Sequence, residues 1–209
     1  MDIRGVLRSP LIYMAFQRLV GGIYARDICL RIVDLQPGER VLDIGCGPAY
    51  YLKKMPSLEY VGFDTDRRYI EYARSRFSSN GKFFCKEFSE EQAQDLGRFD
   101  CVMLMGLLHH LDDTACSRLL ALVGSVLKPS GRVIALDTIV HHGQDPFSRY
   151  LAIHDRGQYV RKPTEFVRLA ELSFESVTGN LLKAWWVPSI YWCMVLQQPL
   201  TVNRAYDYH

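Results

Sequence analysis

Short apolar runs alternate with amphipathic stretches through the middle of this chain. Five runs have the length and composition of strands: 40–44, 59–63, 82–85, 99–105 and 131–136. The run 99–105 is almost continuously apolar, as a strand in the buried centre of a parallel sheet must be. Helices are predicted between the strands, over 49–55, 66–79 and 111–127. Strands that alternate with helices indicate an α/β fold with a doubly wound sheet.

Both ends of the chain add elements to this pattern. A helical stretch at 9–34 is interrupted by Gly21 and Gly22, which predicts two short helices joined by a hinge. After the fifth strand, the segment 137–162 is too long and too polar for a plain connector. The remaining stretches predict one helix and two strands, at 163–172, 174–181 and 189–196.

The most apolar part of the chain is the tryptophan-rich segment 184–196. A membrane span needs about 20 apolar residues, and Pro188 interrupts this shorter run. We therefore interpret the segment as a core strand and expect no membrane span. Contact of its tryptophans with a membrane interface or a partner is the alternative.

Composition and charge argue against several classes of protein. At 209 residues, 48% hydrophobic and 23% charged, the chain is expected to form one globular domain. The net charge of +2 argues against a broad nucleic-acid interface, so no nucleic-acid partner is expected. Six scattered cysteines without a Cys-x-x-Cys pair, and no visible signal peptide, predict reduced thiols in a cytoplasmic protein without a metal site.

A glycine turn after the first strand is the leading candidate for a binding site. Gly45 and Gly47 can adopt positive φ and let a ligand lie on the backbone. Pro48 suits the first position of a following helix, whose N–H groups could bind an anion. Asp64 follows Gly45 by nineteen residues, where nucleotide-binding sheets hold a ribose diol. Asp43 would repel a pyrophosphate and suits a ligand with a cationic or ammonium group.

The run Val41-Leu42-Asp43-Ile44-Gly45-Cys46-Gly47-Pro48 closely resembles the signature of class I S-adenosylmethionine-dependent methyltransferases. Further motifs of that superfamily correspond to Phe99-Asp100-Cys101-Val102 with Leu107-Leu108-His109-His110-Leu111, and to Leu127-Lys128-Pro129-Ser130-Gly131. The resemblance, to a small-molecule, type 11-like branch, covers about residues 35–140. It implies a Rossmann-like sheet closed by a C-terminal antiparallel hairpin. It also implies an N-terminal helical lid, S-adenosyl-L-methionine as cofactor, and methyl transfer to O, N or C of a small molecule.

The resemblance divides the single expected domain, 1–209, into four parts. These are a helical lid, a cofactor-binding core, a substrate-side insertion and a C-terminal helix with hairpin, at 1–37, 38–136, 137–162 and 163–209.

Positions that match the superfamily's motifs form a predicted set of cofactor residues. Tyr13 and Gln17 lie one turn apart on the lid helix, although both could be surface residues of an amphipathic helix. Glu87 stands where the superfamily commonly has an acid on the adenine amino group, but the more usual Gly-Asp-Ala is absent. The full set is Tyr13, Gln17, Asp43, Gly45, Cys46, Gly47, Asp64, Thr65, Glu87, Phe88, Met105 and Gly106.

Histidines and a polar cluster supply the candidates for substrate contact. Methyl transfer from a sulfonium needs a base only when the acceptor carries a proton, so the catalytic residue stays open, with His109 as a weak candidate. The acceptor is expected between the N-terminal helix and 141–161, where Asp155 and Arg156 could belong either to the site or to a solvated loop. The predicted substrate residues are His109, His141, His154, Tyr159 and Arg161.

Other functions remain open at this point. The chain could be a catalytically weak S-adenosylmethionine-binding regulatory or interaction protein, because Ala49 stands where a third glycine is usual. A nicotinamide oxidoreductase is disfavoured by Asp43. Nucleic-acid methylation is disfavoured because 103–106 lacks an Asn-Pro-Pro-Tyr-like tetrapeptide. The oligomeric state and the acceptor are not predicted.

Overall fold

The computed structural model describes residues 9–144, 146–153, 157–183 and 189–200, without the side chains of Tyr13, Phe147 and Leu151. The helices are α1 Pro10–Leu19, α2 Gly22–Val33, α3 Arg67–Phe77, α4 Glu90–Leu96, α5 Asp113–Ser125, α6 Pro146–Ile153 and α7 Pro163–Glu171. Two short 3-10 turns cover Leu52–Lys54 and Leu108–His110. The strands are β1 Arg40–Ile44, β2 Glu59–Asp64, β3 Gly81–Cys85, β4 Phe99–Met105, β5 Leu127–Thr138, β6 Phe174–Lys183 and β7 Ile190–Pro199.

The strands form one seven-stranded sheet in the order β3-β2-β1-β4-β5-β7-β6. Strands β1 to β5 pair in parallel, whereas β7 is antiparallel to both β5 and β6. The predicted Rossmann-like sheet with a C-terminal antiparallel hairpin is thereby confirmed. The strand order reverses between β1 and β4, and open α/β sheets bind their ligands beyond the carboxyl ends of the strands at such a point.

Alternating side chains of β4 fill the core on the two faces of the sheet. Val102 and Leu104 pack in the cluster that contains residues of α5 and α7. Cys101, Met103 and Met105 belong to the opposite cluster, which contains residues of α2 and α3. All five are buried, so β4 is an inner strand covered on both sides, as its apolar sequence predicted.

Several boundaries differ from the prediction for identifiable reasons. The predicted helix at 49–55 is only a 3-10 turn, because Ala49 has φ +50 and interrupts helical geometry. Helix α4 was missed, although Ser89 and Gln92 form the capping box that marks its start. The predicted cap Asp112 is confirmed, since its carboxylate accepts a hydrogen bond from the N–H of Ala115 at 2.8 Å.

The two ends behave largely as predicted. Two helices separate at Gly21, which has φ +78. The strand predicted at 189–196 is present as β7, Ile190–Pro199, whereas 184–188 lies outside the described residues. None of the described helices is long and apolar enough to cross a membrane.

Candidate cofactor and acceptor cleft

A large cleft lies over the carboxyl ends of the central parallel strands. Its floor includes Gly45 after β1, Asp64 at the end of β2, and Gly106 after β4. One wall is made by Gln17 of α1 and Arg26 of α2. The cleft thus occupies the place where the strand order reverses, between the sheet and the two N-terminal helices.

The turn after β1 is tied to the end of β2 by its own backbone. Gly45 and Gly47 have φ +75 and +55, as predicted for glycines of a tight turn. The N–H groups of Gly45 and Cys46 both donate to the carbonyl of Phe63, at 2.8 and 3.0 Å. The expected α-helix start at Pro48 is wrong, since the N–H of Ala49 donates to the carbonyl of Cys46 and the chain continues into the 3-10 turn Leu52–Lys54.

Ala49 replaces the usual third glycine without changing the turn. Its φ of +50 is the left-handed conformation that glycine adopts readily and that other residues adopt at a cost of about 1–2 kcal/mol. The side chain is fully buried. The chain therefore keeps the glycine-type turn at this position.

Asp43 is completely buried below the glycine turn. Its Oδ2 accepts hydrogen bonds from the hydroxyls of Tyr51 and Tyr60, whereas Oδ1 has no hydrogen-bond partner among the described residues. Burial raises the pKa of Asp43 to about 6, and the two tyrosine hydroxyls and the nearby Arg26 guanidinium limit the rise. An unpaired buried carboxylate oxygen is costly unless a donor reaches it.

Asp64 joins the two loops at the floor of the cleft. Its Oδ2 accepts from the N–H of Gly47 and its Oδ1 from the N–H of Asp66, both at 2.8 Å. Burial raises its pKa, and the same N–H groups limit the rise. A carboxylate has about four acceptor positions, so Asp64 can hold this geometry and still accept further hydrogen bonds from the cleft.

Most of the remaining predicted cofactor residues, which follow β2 and β3, lie along the same cleft. Thr65 and Glu87 are exposed and line it. Phe88 is buried, with its ring edge-on to Phe63 at 5.2 Å between centroids. Cys46 is buried and lies outside the lining. Three of these predicted residues, Thr65, Glu87 and Phe88, are therefore at the cleft surface.

Arg26 is a cleft residue that the sequence analysis missed. Its guanidinium is buried, donates to Gln17 Oε1 at 2.8 Å and reaches the carbonyl of Met105 at 3.2 Å. The predicted residue Gln17 is thus held against the cleft by an arginine that received no prediction. An arginine on the apolar face of a predicted helix was the available signal. The side chain of Tyr13 lies outside the described residues.

His109 and Asp137 form a buried pair at the ends of β4 and β5. His109 Nδ1 lies 2.7 Å from Asp137 Oδ1, which also accepts the backbone N–H of His109 at 3.0 Å. Only 5% of His109 and 2% of Asp137 is exposed, and His109 lines the cleft. Burial raises the pKa of Asp137, and His109 limits that rise. Asp137 Oδ2 has no hydrogen-bond partner among the described residues.

Gly157 holds the backbone of the 157–161 segment against this histidine. A Cβ at Gly157 would lie 2.6 Å from the carbonyl oxygen of His109 and would overlap its ring. The N–H of Tyr159 donates to the same carbonyl at 3.0 Å. His109 is therefore confined between Asp137 and a backbone segment that only glycine allows so close.

Arg161 corrects one expectation about the substrate residues. Its buried guanidinium donates to Asp113 Oδ1 and to the carbonyls of Leu108, Leu111 and Tyr159, at 2.6–3.1 Å. Those contacts turn it into the protein and away from the cleft. The expectation that it faces an acceptor is wrong, since its guanidinium donates to three backbone carbonyls and to the carboxylate of Asp113.

Two further predicted substrate residues, Tyr159 and His141, do not line the cleft either. Tyr159 is 40% exposed and lies outside the lining. His141 is exposed and also outside it. His154, Asp155 and Arg156 lie outside the described residues.

The cleft nevertheless extends between α1 and the helix α6, within the predicted acceptor segment. Phe16 and Val20 contribute from the α1 side, and Ser148 and Tyr150 from α6. Residues at the start of β7, including Tyr191, close the far end. Among the described residues, no group of three or more histidine, cysteine or acidic side chains could hold a metal ion.

Comparison with known proteins agrees with this geometry. A family model described as a methyltransferase domain matches residues 41–131. A ubiquinone biosynthesis O-methyltransferase of Xanthomonas oryzae is 29% identical over 164 residues, covering 71% of this chain and 68% of that protein. These matches support the class I S-adenosylmethionine-dependent methyltransferase superfamily that the sequence resembles.

Two further proteins resemble this chain, one in sequence and one in fold. An uncharacterized 37.1 kDa protein in a transposon of Streptomyces fradiae is 32% identical over 116 residues; the match covers 52% of this chain and 33% of that protein's length. A TehB-like S-adenosylmethionine-dependent methyltransferase from Corynebacterium glutamicum has the same fold, with a TM-score of 0.57 and 21% identity. That match covers 81% of this chain and 86% of the other.

S-adenosylmethionine is the cofactor of this family, and the residues of the cleft fit it. The unpaired Asp43 Oδ1 is a buried acceptor that suits an ammonium group. A Cβ on Gly47 would meet nothing within 4 Å, so space remains beside the turn. The methyltransferase thus offers a bare backbone and the further acceptor positions of Asp64 in the cleft, and the buried carboxylate of Asp43 lies behind this lining.

Proposed function

We propose that this methyltransferase transfers the methyl group of S-adenosylmethionine to a hydroxyl oxygen of a small aromatic molecule bound between α1 and α6. The observation that carries the proposal is the buried His109–Asp137 pair in the wall of the cleft. A histidine beside a carboxylate is an arrangement that accepts a proton, and only an acceptor that holds a proton needs it. A hydroxyl or phenol is such an acceptor.

The chain's own residues would hold the cofactor in the following way. Asp43 Oδ1 would accept from the ammonium group, and Arg26, which lines the cleft, would pair with the carboxylate of the same amino acid portion. Asp64 accepts from the ribose hydroxyls. Glu87 and Phe88 border the adenine. When bound, the sulfonium supplies an activated methyl group whose transfer leaves a neutral thioether.

His109 then accepts the proton of the acceptor's hydroxyl group. Its Nδ1 donates to Asp137, so the other ring nitrogen, Nε2, carries the lone pair that takes the proton. Asp137 is buried against the ring, and in its carboxylate form it stabilises the imidazolium that forms. Gly157 lets the backbone cover the ring, which keeps the imidazole in one orientation.

The acceptor side of the cleft favours a flat, largely apolar molecule. Phe16, Val20 and Leu136 supply apolar surface there. Tyr150 and Tyr191 supply rings with hydroxyl groups, which can stack on and hydrogen-bond a phenol. The similar Xanthomonas protein is by its name an O-methyltransferase, which supports oxygen as the atom methylated.

The proposal is tested with labelled S-adenosylmethionine and a panel of catechol-type phenols. We expect methyl transfer to a phenol oxygen, and we expect Asp137→Asn to lower kcat by about 10²–10⁴-fold while leaving the affinity for S-adenosylhomocysteine unchanged in calorimetry. Asp64→Ala is the matched variant of the cofactor side, and it should weaken that affinity by about tenfold or more, since it removes charge-assisted hydrogen bonds.

Two results would contradict the proposal. A product methylated at carbon or nitrogen would exclude oxygen transfer. Unchanged turnover in Asp137→Asn, with wild-type cofactor affinity, would remove the His109–Asp137 pair from the reaction.

A further inference from the structure

Two buried cysteines from distant parts of the chain meet beneath α2. Cys29 lies on the buried face of α2 and Cys193 lies in β7, 164 residues later. Their sulfur atoms are 3.1 Å apart, and neither residue is exposed. Both are free thiols. The methyl-transfer mechanism uses neither of them.

The two sulfur atoms are chemically unequal. The thiol of Cys29 donates a hydrogen bond to the sulfur of Cys193. That contact lowers the pKa of Cys193 and raises the pKa of Cys29, to which burial adds. Cys193 is therefore the sulfur that carries a negative charge more readily, and a thiolate is the nucleophilic form of cysteine.

The pair lies where the N-terminal helices join the sheet. Two residues before Cys193, the hydroxyl of Tyr191 donates to the carbonyl of Val20 at 3.0 Å, next to the hinge between α1 and α2. Nearly one turn before Cys29, Arg26 contacts Gln17 and the end of β4. A covalent bond between the cysteines would thus fasten the same helix that lines the cleft.

We propose that a peroxide oxidises Cys29 and Cys193 to a disulfide that locks α2 onto the sheet. The thiolate of Cys193 attacks a peroxide oxygen, the O–O bond breaks, and a sulfenic acid forms on Cys193. The sulfur of Cys29 then attacks the sulfenic sulfur, and the S–O bond breaks. The hydroxide leaves with the proton of Cys29 as water, so hydrogen peroxide and two thiols give one disulfide and two waters.

The remaining cysteines provide internal comparisons. Cys101 and Cys116 are buried, and burial raises the pKa of each to about 12, which keeps them as unreactive thiols. Cys85 is exposed, so it reports oxidation at the surface. The proposal therefore predicts a selective reaction of two buried sulfurs rather than general oxidation.

The test treats the folded protein with increasing hydrogen peroxide, then unfolds it in an alkylating reagent and measures masses. We expect the loss of two hydrogen atoms, and a tryptic peptide 27–31 linked to 184–204, while Cys101 and Cys116 are alkylated. Cys85→Ser should give the same linked peptide, and Cys29→Ser and Cys193→Ser should give none. In oxidised wild type, amide exchange over 22–33 should be slower than in the reduced protein, and the same peroxide should not slow it in Cys29→Ser.

Alkylation of Cys29 and Cys193 to the same extent as Cys101, at a peroxide concentration that fully oxidises Cys85, would overturn the proposal. A linked peptide with unchanged exchange over 22–33 would overturn the locking of α2. Neither the linked peptide nor the exchange rate depends on methyl transfer, so failure of this proposal would not contradict the proposed function.

Discussion

Buried carboxylates carry much of the chemistry of this protein at the scale of single residues. Asp43 and Asp137 are both almost completely enclosed, and each keeps one oxygen without a hydrogen-bond partner among the described residues. Such groups lower the stability of the fold, because desolvation of a carboxylate is only partly offset by its neighbours. They are retained where a ligand or a reacting group supplies the missing contact.

The raised pKa of Asp43 gives a prediction about stability against pH. Its folded-state pKa of about 6 lies above the ordinary 3.8, so folding favours the protonated form. The stabilisation that Asp43 contributes is fully present below pH 3.8, decreases as the pH rises to about 6, and is absent at higher pH. At neutral pH the loss is about 3 kcal/mol. We expect Asp43→Asn to unfold at higher urea concentration than wild type at neutral pH, with the advantage narrowing towards pH 3.8.

Asp100→Asn is the control with the opposite sign. Burial raises the pKa of Asp100, but the hydrogen bonds from Lys128 and from the N–H of Arg40 together outweigh it, so the pKa lies below the ordinary value. The asparagine variant should therefore be less stable than wild type at neutral pH. A neutral-pH urea midpoint of Asp43→Asn at or below that of wild type would contradict the account of Asp43.

The sequence revealed those site residues whose partners are close in the chain. Gly45, Gly47 and Asp64 follow from a turn and a strand spacing, and the structure brings them together. Arg26 and Arg161 could not be assigned in the same way. Their partners, Met105 for the first and Leu108 and Leu111 for the second, are 50 to 79 residues away.

At the scale of elements, Arg161 determines how the segments beyond the sheet are held. Ile139, just after β5, pairs with Arg161 in an isolated parallel bridge. The guanidinium points into the protein, because it donates hydrogen bonds to the 3-10 turn after β4 and to the start of α5. The segment behind the cleft is thus joined to the turn that carries His109.

We expect Arg161→Ala to lower the free energy of unfolding by about 3 kcal/mol, because it leaves buried carbonyl groups without donors. Arg168→Ala is the matched control, since Arg168 also approaches Asp113 but at 3.6 Å and with its side chain 71% exposed. Its effect should stay within about 0.5 kcal/mol. Urea unfolding measures both. Lost turnover in Arg161→Ala at unchanged stability would instead support the substrate role that the sequence suggested.

The strands were easier to predict than the elements between them. Apolar runs are local signals, and β4 has the predicted limits. The turn at 49–55 could not be recognised, because the left-handed φ of Ala49 depends on the surrounding turn and not on an intrinsic preference of alanine. Helix α6 was likewise not predicted, because it is only eight residues long and lies within the polar 137–162 segment.

At the scale of the whole molecule, the two N-terminal helices differ in how closely they are attached to the sheet. α1 exposes several large apolar side chains, including Leu11 at 64% and Leu19 at 77%. α2 is fixed to β5 at its end, where Arg132 Nε donates to the carbonyl of Val33 at 2.8 Å. The N-terminal helices are therefore held firmly at one end and more loosely over the cleft.

Cofactor binding should change the amide exchange of the two N-terminal helices beside the cleft. Gln17 and Arg26 line the cleft, so a bound ligand adds contacts to α1 and α2. We expect S-adenosylhomocysteine to slow amide exchange over 10–33 and to leave the outer strand β6 unchanged, as measured by hydrogen–deuterium exchange. Uniform protection of the whole chain, or none over 10–33, would contradict this assignment of the cleft.

The order of strands also has a consequence for synthesis. β7 is the last described strand, yet it lies inside the sheet between β5 and β6. Until Pro199 has left the ribosome, β5 presents an unpaired edge with the apolar residues Ile134 and Leu136. A nascent chain halted before Ile190 would thus resemble an aggregation-prone intermediate, and chaperones would meet it at that edge.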